Sequence, residues 1–168
     1  MRKNILLTGR PGIGKTTIIK RVLDRIDLSA GGFYTQEIRE HGIRTGFKII
    51  TLDGNEGLLA HTELNTRFRV GRYFVNIDDI DEIAVQSILD SLDRDLIIID
   101  EIGRMELFSE KFKEAVILAL ETKRVLGTIM RWSNIFTDSI KARDDTDVID
   151  VNLENRDSLV DMIVDILH

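Results

Sequence analysis

Residues 9 to 16 read GRPGIGKT, and the order of these side chains suits them to holding phosphate. Gly9, Gly12 and Gly14 let backbone N–H groups turn inward on an anion without side-chain obstruction. Lys15 can reach the β- and γ-phosphates, and the Thr16 hydroxyl can ligate Mg²⁺. Arg10, Pro11 and Ile13 complete the loop, and Thr17 follows it. The apolar run from Lys3 to Thr8 reads as a short buried strand. Ile18, Ile19, Val22, Leu23 and Ile26 then recur at helical spacing, predicting a helix from about Lys15 to Ile26. Strand, glycine-rich loop and helix N-terminus are the context a phosphate-binding loop needs, because the helix end adds positive potential.

A second stretch answers the first. LIIIDEIGRMEL, residues 96 to 107, drives an apolar run into two adjacent carboxylates. Buried carboxylates are costly unless a cation comes close, so Asp100 is expected to hold Mg²⁺ together with Thr16. Glu101, where the chain turns at the strand end, can lie over the γ-phosphate and accept a proton from an attacking water. A structural ion pair is the rival role for Glu101. Lys15 and Glu101 are therefore the candidate catalytic pair. Gly103 completes D-x-x-G, a pattern that offers a backbone N–H to the γ-phosphate and is equally that of a simple turn. Arg104 is balanced between touching phosphate and capping local structure. Arg39, Arg44 and Arg72 are candidates for stabilising transition-state charge, though such residues singly are more often surface. Trp132 can stack on a base, though partial core packing is the more usual role for such a residue. His41, His61 and His168 have no metal-ligand spacing, and TKRV at 122 to 125 lacks the Asp of a guanine reader.

The elements that must position these groups follow from periodicity. GGFYTQEIRE and IRTGFKIITLDG predict antiparallel strands joined by a hairpin near His41-Gly42, and residues 70 to 76 a further strand. Ile80, Ile83, Ala84 and Ile88 mark a helix behind an acidic start. Leu96 to Ile99, apolar on both faces, reads as a central parallel strand. Phe112, Ala115, Val116, Ala119 and Leu120 mark an amphipathic helix capped by Ser109. Arg124 to Met130 is a strand, 131 to 145 irregular with room for a short helix, Val148 to Val151 a last strand, and Leu159, Met162, Ile163, Ile166 and Leu167 a closing helix. Strands alternating with helices predict an α/β fold whose early hairpins make the sheet mixed.

The whole chain, 168 residues with 43% hydrophobic and 31% charged side chains, has the size and make-up of one globular domain, residues 1 to 168. No cysteine is present, which excludes disulfides and Cys-based metal sites and fits a cytoplasmic location. No apolar run approaches the roughly 20 residues of a membrane helix, so no membrane partner is expected. A net charge of −6 disfavours broad contact with nucleic acid while leaving room for one small anion.

With these residues placed, the chain resembles the THEP1 nucleoside-triphosphatases, a group that includes a human cancer-related relative. The resemblance runs in order through TGRPGIGKTT, GGFYTQEIRE, RTGFKIITLDG, RVGRYFVN, LIIIDEIGRMEL, LGTI and NLENRDSL. It implies a RecA-like P-loop fold, a three-layer sandwich around a mixed, mostly parallel sheet. It also implies slow, Mg²⁺-dependent hydrolysis of several NTPs with loose base preference. Nucleotide binding falls on residues 9 to 17 and on Asp100, Glu101, Ile102 and Gly103, with Glu101 in the water-activating place. Arg104 stands where many relatives have Lys, and MRWSNIFTDSIKARDDTD, after LGTI, departs from the family pattern. A monomer acting on an NTP is expected. Two rival functions stay open: a small-molecule or nucleic-acid kinase sharing the same loop, and a nucleotide-dependent switch or interaction module.

Overall fold

The computed structural model describes residues 2–168. Its first unit is the expected one: β1 (Asn4–Thr8), buried at all five positions, leads into α1 (Lys15–Arg25). The hairpin β2 (Ala30–Glu40) and β3 (Ile43–Thr51) turns at His41 and Gly42, with φ of 54° and 78°. Positive φ at both central residues matches the twist of the flanking strands. β4 (Glu56–His61), β5 (Arg69–Val70) and β6 (Tyr73–Val75) extend this antiparallel region. The single strand expected at 70 to 76 is two short ones, because the chain reverses at Gly71 and pairs Arg69 with Phe74 and Val70 with Tyr73.

The helical stretch at 77–89 also differs in detail. It opens as α2 (Ile77–Asp79), widens to a π-helix over Ile80–Val85 and closes as α3 (Gln86–Leu89). Ile80, Ala84 and Val85 are all buried there, and the wider turn brings the consecutive Ala84 and Val85 both against the core. β7 (Leu96–Ile102) is followed by a 3₁₀ turn (Glu106–Phe108) and α4 (Glu110–Glu121), where Ser109 accepts from the Phe112 N–H as expected of a cap. β8 (Val125–Ile129), α5 (Ile135–Lys141), β9 (Thr146–Asp150) and α6 (Arg156–Leu167) complete the fold. The last strand starts earlier than Val148, since Asn4 to Thr8 pair with Thr146 to Asp150.

Strand order across the sheet is β5-β6-β4-β3-β2-β7-β8-β1-β9. β2, β7, β8, β1 and β9 are mutually parallel, and the antiparallel steps reverse only β3 and β6. The sheet is thus mixed, with most strands pointing one way. Alternation along the parallel strands divides the core in two. Leu6, Ile97, Ile99 and Phe33 pack with Phe112, Val116 and Leu120 of α4. Ile5, Leu7, Ile98 and Leu126 pack with Ile18, Ile19 and Val22 of α1 and with Leu159 and Ile163 of α6. Each such fully buried side chain contributes about 1.5–3 kcal/mol. Helices on both faces of the sheet fix the C-terminal ends of β1, β7 and β8 side by side, and the polar residues gather there.

Candidate active site

Three elements meet at that edge. α1 begins at Gly14 with no side-chain cap, so the first-turn N–H groups are offered to whatever the loop encloses. Lys15 Nζ donates to the Gly9 carbonyl at 2.6 Å and stands 3.9 Å from Glu101 Oε2. Its ammonium is thereby folded over the loop, with a carboxylate across from it. Thr8, the last residue of β1, carries a buried hydroxyl with no hydrogen-bond partner among the described residues.

Asp100 is 3% exposed. The Thr16 hydroxyl donates to its Oδ2 at 2.7 Å and the Thr128 hydroxyl to its Oδ1 at 2.7 Å. Burial pushes the carboxyl upward, and these hydroxyls, with Lys15 behind them, only partly oppose the shift. Two neutral donors offset only part of the cost of desolvating that anion. Oxygen-only donors on a carboxylate and a threonine are what Mg²⁺ takes when substrate phosphates and water supply the rest, so this pair fits the ion. Among the described residues no three His, Cys, Asp or Glu side chains gather as a metal site of their own.

Asp100 and Glu101 both face the loop, Asp100 through Thr16 and Glu101 through Lys15. The ladder between β7 and β8 shifts register between Ile99 and Ile102, and the peptide between the two carboxylates is cis. Burial raises the Glu101 carboxyl, Lys15 pulls it down, and Asp100 adds to the rise. A Cβ at Gly103 would run into Glu101 Oε1 and sit 3.2 Å from Glu106 Oε1, so the absence of a side chain there leaves the Glu101 carboxylate its place. Ile102, fully buried between them in the chain, anchors the turn in the core.

Glu106 was not among the sequence candidates. It is 4% exposed, and its carboxyl is pushed well above the usual range, first by burial and then by Glu101. An acidic residue in an otherwise amphipathic MEL turn gives no signal of burial. Thr128 and Arg156 were missed for the same reason: a strand threonine and a helix-start arginine are ordinary until the fold aligns them. Arg156 donates to the Ile13 carbonyl at 3.3 Å and so braces the loop from α6.

The remaining candidates lie outside the Lys15, Asp100 and Glu101 cluster. Arg10 is exposed in the loop and Arg104 is exposed beyond the β7 turn. Arg44 donates to the Tyr73 hydroxyl at 2.8 Å and pairs with Glu37, which also takes Arg39; Arg72 donates to the Arg44 carbonyl at 2.7 Å. These three arginines are tied into the antiparallel region. Trp132 is 69% exposed, which rules out the core-packing role.

Comparison with known proteins agrees with this geometry. A family model described as NTPase matches residues 4–164. The nucleoside-triphosphatase THEP1 of Thermotoga sp. (strain RQ2) is 52% identical over 165 residues, 97% of this chain and 94% of that protein. The cancer-related nucleoside-triphosphatase homolog of Mus musculus is 37% identical over 186 residues, covering 100% and 98%. The crystal structure of THEP1 from Aquifex aeolicus superposes with a TM-score of 0.90 at 34% identity, covering 98% of this chain and 99% of that one. The solution structure of a human cancer-related nucleoside triphosphatase gives 0.82 at 35%, covering 97% and 96%. A phosphate loop facing paired carboxylates, carried on a sheet shared along its whole length with these proteins, makes this chain a member of the THEP1 nucleoside-triphosphatase family.

Proposed function

We propose that this nucleoside-triphosphatase cleaves the terminal phosphoanhydride of ATP, GTP, CTP and UTP alike, with Mg²⁺ as its cofactor, to give the nucleoside diphosphate and phosphate. The observation that carries the reading is the Glu101 carboxylate standing across from Lys15, 3.9 Å from its Nζ, at the mouth of the phosphate loop. Residues 9 to 17 would wrap the phosphates with backbone N–H groups. Lys15 would exchange its contact with the Gly9 carbonyl for the γ-phosphate oxygens, where charge grows as the bond to the leaving oxygen lengthens. Glu101 then faces the side from which water attacks. As the new P–O bond forms and the β–γ bridging bond breaks, the water proton passes to Glu101 and the β-phosphate leaves with the bridging oxygen. Thr16 and Asp100 would hold Mg²⁺, which when bound neutralises charge on the β- and γ-phosphate oxygens. Burial that raises the Glu101 carboxyl makes it a better proton acceptor than a solvated glutamate.

No tetrapeptide guanine reader is present, and the groups above would engage only the phosphates. We therefore expect kcat/KM for the four NTPs to lie within roughly two orders of magnitude, about 2.7 kcal/mol. The test is phosphate release by purified protein with Mg²⁺ and each NTP and no acceptor, alongside Glu101→Gln. Wild-type protein should release phosphate only when Mg²⁺ is present. The variant should lose about a hundredfold or more in single-turnover hydrolysis while keeping nucleotide affinity and melting temperature. Phosphate transfer that requires an added acceptor would make the protein a kinase, and near-normal hydrolysis in the variant would return Glu101 to an ion-pair role. Among the described residues no helix is long and apolar enough to cross a membrane, and we expect the enzyme to act as a monomer in the cytoplasm.

A further inference from the structure

Phosphate chemistry leaves one large feature without a task. A cleft of about 650 Å³ lies beside the loop, walled by Gly9, Arg10 and Ile13, by Arg131 after β8, and by residues 150–154 between β9 and α6. Because the loop itself forms one wall, a triphosphate seated in it can direct its sugar and base this way.

Two large apolar side chains near this cleft are left in water. Leu153 lines it on the β9–α6 side and is 60% exposed, and Trp132, which follows the lining residue Arg131 in the chain, is 69% exposed. Both sit on braced backbone. Asn152 Oδ1 accepts from the N–H groups of Glu154 and Asn155 at 2.9 Å each, and Asn155 Nδ2 donates to the Asp150 carbonyl at 2.8 Å. On the other side Lys141 Nζ donates to the Arg131 carbonyl at 3.3 Å, and Asn134 caps α5 through the N–H groups of Phe136 and Thr137. An exposed leucine on one wall and an exposed indole one residue beyond another lining residue, both close in the chain to residues beside the phosphate loop, have apolar surface to bury, and a flat nucleobase is a partner to bury it on.

We propose that Trp132 and Leu153 are the two jaws that hold the nucleobase of the bound NTP, Trp132 stacking on its face while the cleft takes the sugar. The proposal rests on the NTP-hydrolysis reading and adds to it the place where the base is read. Stacking senses the area of the π face and not the pattern of donors on its edge, so all four bases are accepted. Purines, with the larger face, are held more tightly than pyrimidines.

Trp132 is the single tryptophan of the chain, so it reports on itself. A non-hydrolysable ATP analogue with Mg²⁺ is expected to quench its emission saturably. Inorganic tripolyphosphate, which has no base, is expected to inhibit hydrolysis without the quench. Trp132→Ala should raise KM for ATP by about 5- to 150-fold, the scale of losing one base–aromatic stack, with kcat nearly unchanged. Trp132→Phe should recover most of that affinity, and inhibition by tripolyphosphate should be equal in all three proteins. An unchanged KM in Trp132→Ala, or equal quenching by tripolyphosphate and the ATP analogue, overturns the jaws and leaves hydrolysis standing. Quenching by the analogue alone in a protein that releases no phosphate sustains the jaws and overturns the hydrolysis reading.

Discussion

The two halves of the sheet treat charge in opposite ways. In the antiparallel half, Arg39, Arg44 and Arg72 are matched by Glu37, by the Tyr73 hydroxyl and by a backbone carbonyl. Burial pushes the Glu37 carboxyl and the Tyr73 phenol upward, and the arginines more than reverse this in both, leaving each below its usual range. In the parallel half, Asp100 and Glu101 share the field of the Lys15 ammonium, Glu106 lies beside Glu101 with no cation of its own in play, and all three carboxyls are pushed up. Charge is balanced in the ribbon and left unbalanced at the strand ends, as the proposed binding of Mg²⁺ with the nucleotide would require. The number of arginines in a region is therefore a poor guide to where phosphate is handled.

The largest effect that would test this contrast is at Lys15. Lys15→Ala removes the fixed cation of the parallel half, and turnover should fall by about 10²- to 10³-fold or more, measured as phosphate release at saturating NTP. Wild-type turnover in that variant would show that GRPGIGKT is not the working loop.

Glu106 gives a smaller effect, on stability. Its folded pKa lies well above the unfolded value of about 4.5. Below that pH both states are protonated and the stability is fully present. As pH rises the unfolded chain ionises first, so stability is lost until the folded carboxyl also ionises, at up to about 1.4 kcal/mol per pH unit. Glu106→Gln should remove this slope. Thermal melts of ligand-free protein from pH 4.5 to 8 should show the variant gaining on the wild type as pH rises, by 1 kcal/mol or more, roughly 2–4 °C each. Parallel melting curves would take Glu106 out of the unbalanced cluster.

The smallest effect belongs to the balanced half. Arg44→Ala removes one ion pair of about 0–1 kcal/mol and one hydrogen bond of about 1 kcal/mol, so melting should drop by a few degrees. Its kcat/KM should stay within about threefold. A hundredfold loss would mean that the hairpin reaches the γ-phosphate and would erase the distinction between the halves.

Much of this architecture was legible in the residue order, because local rules set it. Apolar alternation and period placed β1, α1, β7, α4 and α6; the His41-Gly42 turn and the Ser109 cap act over a few residues; and GRPGIGKT places Lys15 and Thr16 on a loop and the helix it opens. The place of Asp100 beside the loop was legible too, since the apolar run LIII carries the carboxylate at its end to the edge of the core where Thr16 stands. Groups whose role depends on distant partners were not legible. Thr128 serves Asp100 only because β8 lies against β7. Glu106 is buried only because the 3₁₀ turn folds it back beside Glu101 and Gly103. Arg44 could be a phosphate contact or a structural tie until Tyr73 and Glu37 were found around it. The order of residues determined which groups can do phosphate chemistry, through short-range periodicity and turn geometry. Tertiary structure decided which of them are left electrically unsatisfied in one place, because burial and charge neighbours are set by strand order across the sheet and not by position along the chain.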